Sequence, residues 1–512
     1  MFPGMDRSGI LLTGATGFIG WYVLRELLQR GQSVTAIVRP GDAGSGDERL
    51  RSMMRRSGWP NEWNRSLRIV EGSLPNDFSA HRESVESCDR VIHSAAALNF
   101  DRDCHGEPQR TNVDGTIQLG QLAAECGIRR FLYVSTAYVC GRVVGTVDET
   151  VGGRGAPRND YENSKQEAER WLAQESGLDW TIARPGIVVG DSRTGSTRNY
   201  FGIYRVLKSI ARLCEKLPVN NDGQRHLPLR LGFSGKETSS LIPVDFVSSA
   251  IVDLSLRDDV GQECVHLTPD QPTTTATLLE AIEAFHGVRG IEFVGPGGVD
   301  LASRNVFERI FDRETKIVGQ YFEDDPGFST ANRRRLLPDF PDAPVDVSMM
   351  VRLQAFGAAN DWGDSDRVGN ADLTFDCADF FLRHFPAASA DSQLPSIPGL
   401  STVVRFEIRG PKNGHWLCRL EHGRVVDIAQ TNDRVTGADF LYQTDSDTFQ
   451  QIVAGQLNVR QAFFERRINI DGDLERALLL AVLFEDLLQE SPYFAKQMPG
   501  RADPVATEGA CA

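Results

Sequence analysis

Long apolar runs are missing from this chain of 512 residues. None approaches the roughly 18 apolar residues that a membrane span takes. The opening MFPGMDRSG carries no targeting core either, because Ile10–Leu12 is far too short for one. Positive charge is scarce: 55 Lys and Arg stand against 70 Asp and Glu, a net charge of -15. That balance argues against nonspecific nucleic-acid binding and against wholesale electrostatic attachment to a membrane. The local run Arg333-Arg334-Arg335 reads as a solvated face. Paired cysteines are missing too. The nine cysteines (88, 104, 126, 140, 214, 264, 377, 418, 511) are dispersed, with no C-x-x-C. This predicts reduced thiols in a cytoplasm and no disulfide frame. No metal site is expected: His226 and His266 sit near apolar residues, read as structural, and share no ligand spacing with other residues.

What is present begins at Ile10–Gly20, ILLTGATGFIG. The apolar Ile10-Leu11-Leu12 predicts a buried strand, and WYVLRELLQRG after it predicts a helix that stops at Gly31. Between them Gly14, Gly17 and Gly20 recur every third residue, with Thr16, Phe18 and Ile19 interleaved. A strand, a glycine turn and a helix make a phosphate site. The first glycine permits the turn, the second lets backbone approach a pyrophosphate, and the third lets helix and strand pack closely. The helix N-terminus adds free N–H groups and a positive dipole end. A second strand, Ser33–Arg39, ends where such a fold meets the adenosine ribose. It offers Arg39 and no carboxylate before Asp42, so a 2′-phosphate, and hence NADP over NAD, is expected.

Residues 41–66 read as a glycine-rich loop and a charged helix, and Leu67–Val70 as a short strand. Arg90–Ile92 leads into His93-Ser94-Ala95-Ala96-Ala97, whose small residues let backbone lie against a flat ligand such as nicotinamide ribose. Asn112–Thr116 opens a helix, and Arg130–Ser135 delivers Ser135-Thr136-Ala137-Tyr138. Tyr161-Glu162-Asn163-Ser164-Lys165 is a Y-x-x-x-K whose spacing puts both side chains on one helix face. A lysine one turn away is expected to lower the tyrosine pKa and make the phenol a usable acid or base.

The pieces TGATGFIG, HSAA, TNVDGT, YVSTAYVCG, YENSK and ARPGIVVGDSRTG resemble an extended short-chain dehydrogenase/reductase over about residues 8–345. HSAAALNF, VSTAYVCG and YFEDDPGFSTANRRRLLP resemble more narrowly the fatty acyl-CoA reductase and thioester reductase branch. The resemblance implies an α/β fold, a Rossmann-type doubly wound parallel sheet with a substrate subdomain. It implies Tyr161 as acid/base, Lys165 holding the ribose, Thr136 bonding the substrate carbonyl, and Asn112 supporting the strand or relaying a proton. Pro185-Gly186-Ile187 should lie beside the nicotinamide. The family often has an acidic residue near adenine; here the stretch is Gly72-Ser73-Leu74, and Ser73 can still hydrogen-bond. Asp191–Arg198 reads as a polar loop over the site, and Ile242–Asp245 resembles the family's lid segment.

Composition shifts at Asn360–Asn370 and Ser389–Pro398, as in exposed connectors. Beyond them Phe375–His384 is helical in pattern, Thr402–Ile408, His415–Leu420 and Val425–Ile428 read as strands, and Thr448–Ala454 and Val459–Phe464 as short helices. Leu474–Leu488 is apolar around much of its circumference and must be buried or cover an apolar cavity. HWLCRLEHGRV, ADFLYQTDSDTFQQIVAGQLN and INIDGDLERAL resemble the sterol-carrier-protein-2-like lipid-binding domain, which implies a smaller α+β unit with an apolar tunnel. The expected division is 1–358 for the reductase, 359–371 as linker, 372–492 for the lipid domain and 493–512 as a disordered tail.

The reading is an NADPH-dependent reductase of a lipid carbonyl, a long-chain acyl thioester taken to the aldehyde or onward to the alcohol. A hydroxysteroid, ketone or aldehyde oxidoreductase and a non-catalytic lipid-transfer or scaffold protein stand as alternatives. Expected partners are a lipid-like thioester, aldehyde or sterol, with no nucleic acid and no membrane span, and a homodimer left open.

Overall fold

The computed structural model describes residues 8–363 apart from 41–44, 76–81, 104, 221, 301–302, 320, 322–324 and 343. Further on it describes 377–392, 401–410, 414–431, 437–453, 457, 459–464, 467–490 and 493. Asp42, most of both expected connectors and the tail beyond Tyr493 lie outside these residues. The chain divides into two compact units. One comprises Met1–Ala211, Val219–Val299 and Glu314–Asp366, the other Arg212–Pro218, Asp300–Arg313 and Arg367–Ala512.

The first unit is built on seven strands: β1 (Gly9–Thr13), β2 (Ser33–Val38), β3 (Leu67–Glu71), β4 (Cys88–His93), β5 (Arg130–Val134), β6 (Asp179–Pro185) and β7 (Glu263–Leu267). Their order across the sheet is β7-β6-β5-β4-β1-β2-β3, and every pair is parallel. The order reverses between β1 and β4, which opens the crevice where such sheets bind dinucleotides. Helices cover both faces because alternate residues of a strand point to opposite sides. Ile10 and Leu12 pack with α1 (Phe18–Gln29) and α5 (Val244–Leu256), through Val23, Leu24, Leu27, Val247 and Ile251. Leu11, between them, joins the opposite core, with Leu119 from α3 (Gly115–Glu125) and Ala168 and Leu172 from α4 (Asp160–Gln174). A further helix, α2 (Gly46–Arg56), begins at Ser45, whose side chain accepts from Glu48 N.

Two surface expectations change. Arg333 is 3% exposed and reaches Thr268 O and Asp270, so the arginine run is not one solvated face; Arg334 and Arg335 are exposed. A guanidinium enters the interior where a carbonyl and a carboxylate take its donors. Conversely His226 is exposed, while His266 is buried, bonds Ser329 O at 2.8 Å and is pulled down to about 4, chiefly by burial.

The second unit carries a five-stranded sheet of β8 (Thr402–Arg409), β9 (Gly414–Glu421), β10 (Arg424–Gln430), β11 (Phe440–Asp445) and β12 (Ile468–Gly472), ordered β10-β9-β8-β11-β12. Only β8 and β11 run parallel. Trp416, Phe406 and Tyr442 stand in one row across three strands. Rings from the helices lie on that row: Phe381 stacks on Trp416 at 5.1 Å, Phe449 of α6 (Ser446–Val453) stacks on Phe381 at 5.4 Å, and Phe484 of α8 (Leu474–Glu490) stacks on Phe406 at 6.0 Å. Between α6 and α8 lies α7 (Val459–Phe464). The helical stretch holding Phe381 continues past the expected His384, through a π turn at Phe380–His384 and on to Asp391, with Pro386 in the first turn of its last segment. Proline is tolerated there because its missing N–H is not needed. Tyr493, the first residue of the expected tail, is buried and donates to Asp379 at 2.9 Å.

Candidate functional site

A cleft of about 820 Å³ runs past the carboxyl ends of β1, β4, β5 and β6. Gly14, Thr16, Gly17, Phe18, Ile19 and Gly20 line one end. Gly14 has φ +76°, and a Cβ there would sit 2.7 Å from Ala95 N. A Cβ at Gly20 would fall 2.1 Å from Gly14 O. Gly17 precedes α1 as its cap, with no side-chain cap bond and no acidic residue in the helix's first turn. The first N–H groups of α1 therefore keep their capacity for an anion. This cradle, which side chains would fill, fits a dinucleotide diphosphate.

Arg39 lines the cleft as expected, and so does Arg49 of α2, which the sequence reading missed. Arg49 donates to Thr16 Oγ1 at 3.2 Å, and its Nε is buried without a partner. Helical spacing alone does not say which arginine of a charged helix turns back to the glycine loop. Gly72 and Leu74 line the cleft, whereas Ser73 between them does not.

Ala95, Ala96, Pro185, Gly186 and Ile187 line the middle of the cleft. A buried chain of hydrogen bonds holds the alanine segment. Thr116 donates to Asn112 O at 2.6 Å, so its oxygen accepts from His93 Nε2 at 3.0 Å. His93 Nδ1 then accepts from Thr13 Oγ1 at 2.6 Å, and Thr13 accepts from Ala95 N at 3.2 Å. Burial, reinforced by the Lys165 charge, pulls His93 down to about 3, so it is neutral as this chain requires. Asn112 does not reach the cleft wall. It is fully buried, accepts from Ala97 N at 2.8 Å and donates to Ala97 O at 3.0 Å and Ser164 Oγ at 2.9 Å. Ser164 donates to Tyr161 O at 2.8 Å, so Asn112 straps the alanine segment to the first turn of α4.

Thr136, Tyr161 and Lys165 meet on the same wall. Thr136 Oγ1 accepts from Tyr138 N at 3.3 Å, which uses an oxygen lone pair and leaves the hydroxyl proton to donate. Lys165 is 1% exposed; its ammonium donates to Val134 O at 2.9 Å and lies 4.6 Å above the Tyr133 ring. Burial pulls it down to about 7, partly offset by the Glu169 carboxylate. Glu169 is itself held by Arg184, with Nε at 2.9 Å from Oε1. The tyrosine departs from expectation. Burial first, then the neighbouring Glu162 carboxylate, pushes the Tyr161 phenol up, not down. Desolvation of the phenolate outweighs the lysine one turn away, whose ammonium bonds a carbonyl instead. Tyr161 thus holds its proton at neutral pH and can act as a donor. Ser135, one residue before Thr136, also lines the cleft with its hydroxyl buried and unpartnered.

The far end of the cleft is apolar and aromatic, with Leu98, Phe100, Tyr138, Phe201 and Tyr321. Leu98, Phe100 and Tyr321 lay inside segments quoted only for their resemblance, Tyr138 was named only as part of a strand end, and Phe201 was not singled out at all. The polar stretch Asp191–Arg198 does not line the cleft, though Asn199 just after it does. Its Ser192 is tied to Asp245, from N at 2.9 Å and Oγ at 2.6 Å, which holds the stretch on α5. Ile242–Asp245 is likewise absent from the cleft wall.

A seven-stranded doubly wound parallel sheet with this cleft is a dinucleotide-binding domain of the extended short-chain dehydrogenase/reductase fold. Residues 12–251 match the family model described as male sterility protein, and residues 382–485 match the SCP-2 sterol transfer family. The chain joins a domain of the male sterility and thioester reductase type to an SCP2 domain. The L-2-aminoadipate reductase large subunit of Penicillium chrysogenum is 28% identical over 315 residues, 56% of this chain and 21% of that protein. A glycine betaine reductase of Emericella nidulans is 26% identical over 301 residues, 54% of this chain and 22% of its own. The chain thus spans about a fifth of the length of these relatives. Among solved structures, the terminal R domain from the myxalamid PKS-NRPS biosynthetic pathway matches with a TM-score of 0.57 at 25% identity, over 70% of this chain and 93% of that domain. The cofactor class these findings give is a nicotinamide dinucleotide. Among the described residues no helix is long and apolar enough to cross a membrane.

Proposed function

We propose that this chain reduces the carbonyl of a long-chain acyl thioester with NADPH, releasing an aldehyde, and that its second unit holds an apolar ligand. The observation that carries the reading is the meeting of Thr136, Tyr161 and Lys165 with the glycine cradle at one end of a cleft whose other end is aromatic. When bound, the reduced nicotinamide supplies a hydride to the carbonyl carbon. Thr136 donates a hydrogen bond to the carbonyl oxygen, and Tyr161 gives that oxygen its proton as negative charge develops. Lys165, which also donates to Val134 O, holds the ribose hydroxyls in this reading. Collapse of the resulting tetrahedral adduct breaks the C–S bond; the oxygen's proton passes to the departing thiolate, leaving an aldehyde and a thiol.

Arg39 and Arg49 support NADPH, since both line the cleft beside the glycine loop and a guanidinium suits a 2′-phosphate. The names of the relatives support a reductase, and the rings of the far end favour an apolar acyl group over a polar one. The SCP2 match supports a lipid ligand for the second unit. The test is cofactor oxidation by the full chain with matched panels of acyl thioesters, aldehydes, ketosteroids and hydroxysteroids. Turnover of thioesters above the other panels is expected; turnover of steroids alone would replace the reading.

A further inference from the structure

Behind the aromatic end of the cleft lies a set of polar side chains that the chemistry does not use. Glu162 directly follows Tyr161 and is fully buried. Its Oε2 accepts from Arg158 N at 2.8 Å, and its Oε1 from Arg158 Nη1 at 3.2 Å and from the Tyr321 hydroxyl at 2.8 Å. Asn159 donates to the same Tyr321 oxygen at 2.7 Å, and accepts from Glu162 N at 2.9 Å as the cap of α4. The Tyr321 hydroxyl is thus used as donor and acceptor at once. The Arg158 guanidinium lies 5.6 Å from both the Tyr321 and Tyr138 ring centres. A buried carboxylate is costly unless its lone pairs are met. Here they are met by two bonds from Arg158 and one from the Tyr321 hydroxyl, which fixes that ring.

That ring occupies the middle of a continuous strip. Tyr138 to Tyr321 is 5.2 Å, Tyr321 to Phe100 is 5.5 Å, and Phe100 to Phe201 is 5.2 Å; the Tyr161 ring stands 6.3 Å from Phe100. The strip is pinned elsewhere too. Tyr138 donates to Asp325 at 2.7 Å, and Phe100 O accepts from Asp160 N at 2.9 Å. Asn159, Asp160 and Glu162 all belong to the start of α4, which also carries Tyr161. The segment that positions the acid therefore positions the wall beside it.

Resting on the reductase reading above, we propose that Tyr321 is a specificity-determining residue. Glu162 and Asn159 fix its ring across the substrate half of the cleft, so that an unbranched apolar acyl group lies along the strip and a branched one is excluded. Glu162 acts through Tyr321 and is a positioning residue in this role. A ring held at both its face and its hydroxyl does not part to admit a branch.

The test uses the full chain with N-acetylcysteamine thioesters of a straight and a methyl-branched acyl group of equal carbon number. Wild type should prefer the straight isomer by about tenfold in kcat/KM, the scale on which one misplaced methyl group is discriminated in a shaped pocket. Tyr321→Ala should bring that ratio close to one, mainly by lowering KM for the branched thioester. Tyr321→Phe keeps the ring and loses both hydrogen bonds, and Glu162→Gln keeps the ring and removes the anchoring charge; each should relax the ratio by a smaller factor. Should Tyr321→Ala fail to fold, Tyr321→Phe decides. Thioester turnover with the same ratio in wild type and the folded Tyr321 variants overturns this inference alone. No turnover of any thioester by wild type overturns the reductase reading, and this inference with it.

Discussion

Lys165 carries an ammonium into a place where 1% of the residue remains exposed, and one carbonyl, Val134 O, receives it. Its folded pKa is pulled from 10.5 to about 7. Between those values the unfolded chain binds more protons than the folded one, so stability rises with pH through that window. Wild type should gain roughly 1–2 kcal/mol more than Lys165→Met between about pH 7 and 9, because the variant has no proton to lose. Parallel stability profiles from urea titrations at each pH would mean that Lys165 keeps an ordinary pKa. Tyr161→Phe leaves the ring and removes the donor. It should lower kcat by at least about 100-fold, the low end for general acid–base catalysis, with NADPH affinity nearly unchanged. Stopped-flow rates with near-normal amplitude and speed would remove Tyr161 from the mechanism. At the other end of the cleft, Arg39→Asp should repel a 2′-phosphate and offer a ribose hydroxyl a partner. The ratio of NADPH to NADH efficiency should fall at least about tenfold, as one charge-assisted hydrogen bond is worth roughly 1.5–3 kcal/mol. An unchanged ratio would mean that Arg39 does not read the phosphate.

At the scale of elements, β1, the glycine turn and α1 act as one part. Gly20→Ala would drive a Cβ to 2.1 Å from Gly14 O, a backbone atom that cannot rotate away. The turn would have to open, so NADPH affinity measured by fluorescence titration should fall more than about tenfold, a loss above roughly 1.4 kcal/mol. Affinity within twofold of wild type would show that the turn tolerates the shift. This part was legible in the sequence because local rules govern it: an apolar run, glycines where Cβ atoms would collide, and an amphipathic helix. The Thr136, Tyr161 and Lys165 positions were legible for the same reason, since strand ends and a four-residue helical spacing bring them to one wall. The electrostatics of Tyr161 were not, because burial, which sequence spacing does not report, decides the sign. Nor were Arg49 and Tyr321, which depend on how distant segments pack. Arg333 shows the same limit: three adjacent arginines look alike in sequence, and only the third dimension sends one of them to Thr268 and Asp270.

The whole molecule joins a cleft with an aromatic end to a unit whose sheet presents the row Trp416, Phe406 and Tyr442 to rings from its helices. The central claim is that hydride transfer in the first unit breaks a thioester. The measurement that tests it most directly follows NADPH loss and free thiol together, in one reaction of the intact chain with a long-chain acyl thioester. The account predicts thiol released in step with NADPH, one for one if reduction stops at the aldehyde and one for two if it proceeds to the alcohol. NADPH oxidised with no thiol released, or thiol released with no NADPH oxidised, would contradict it.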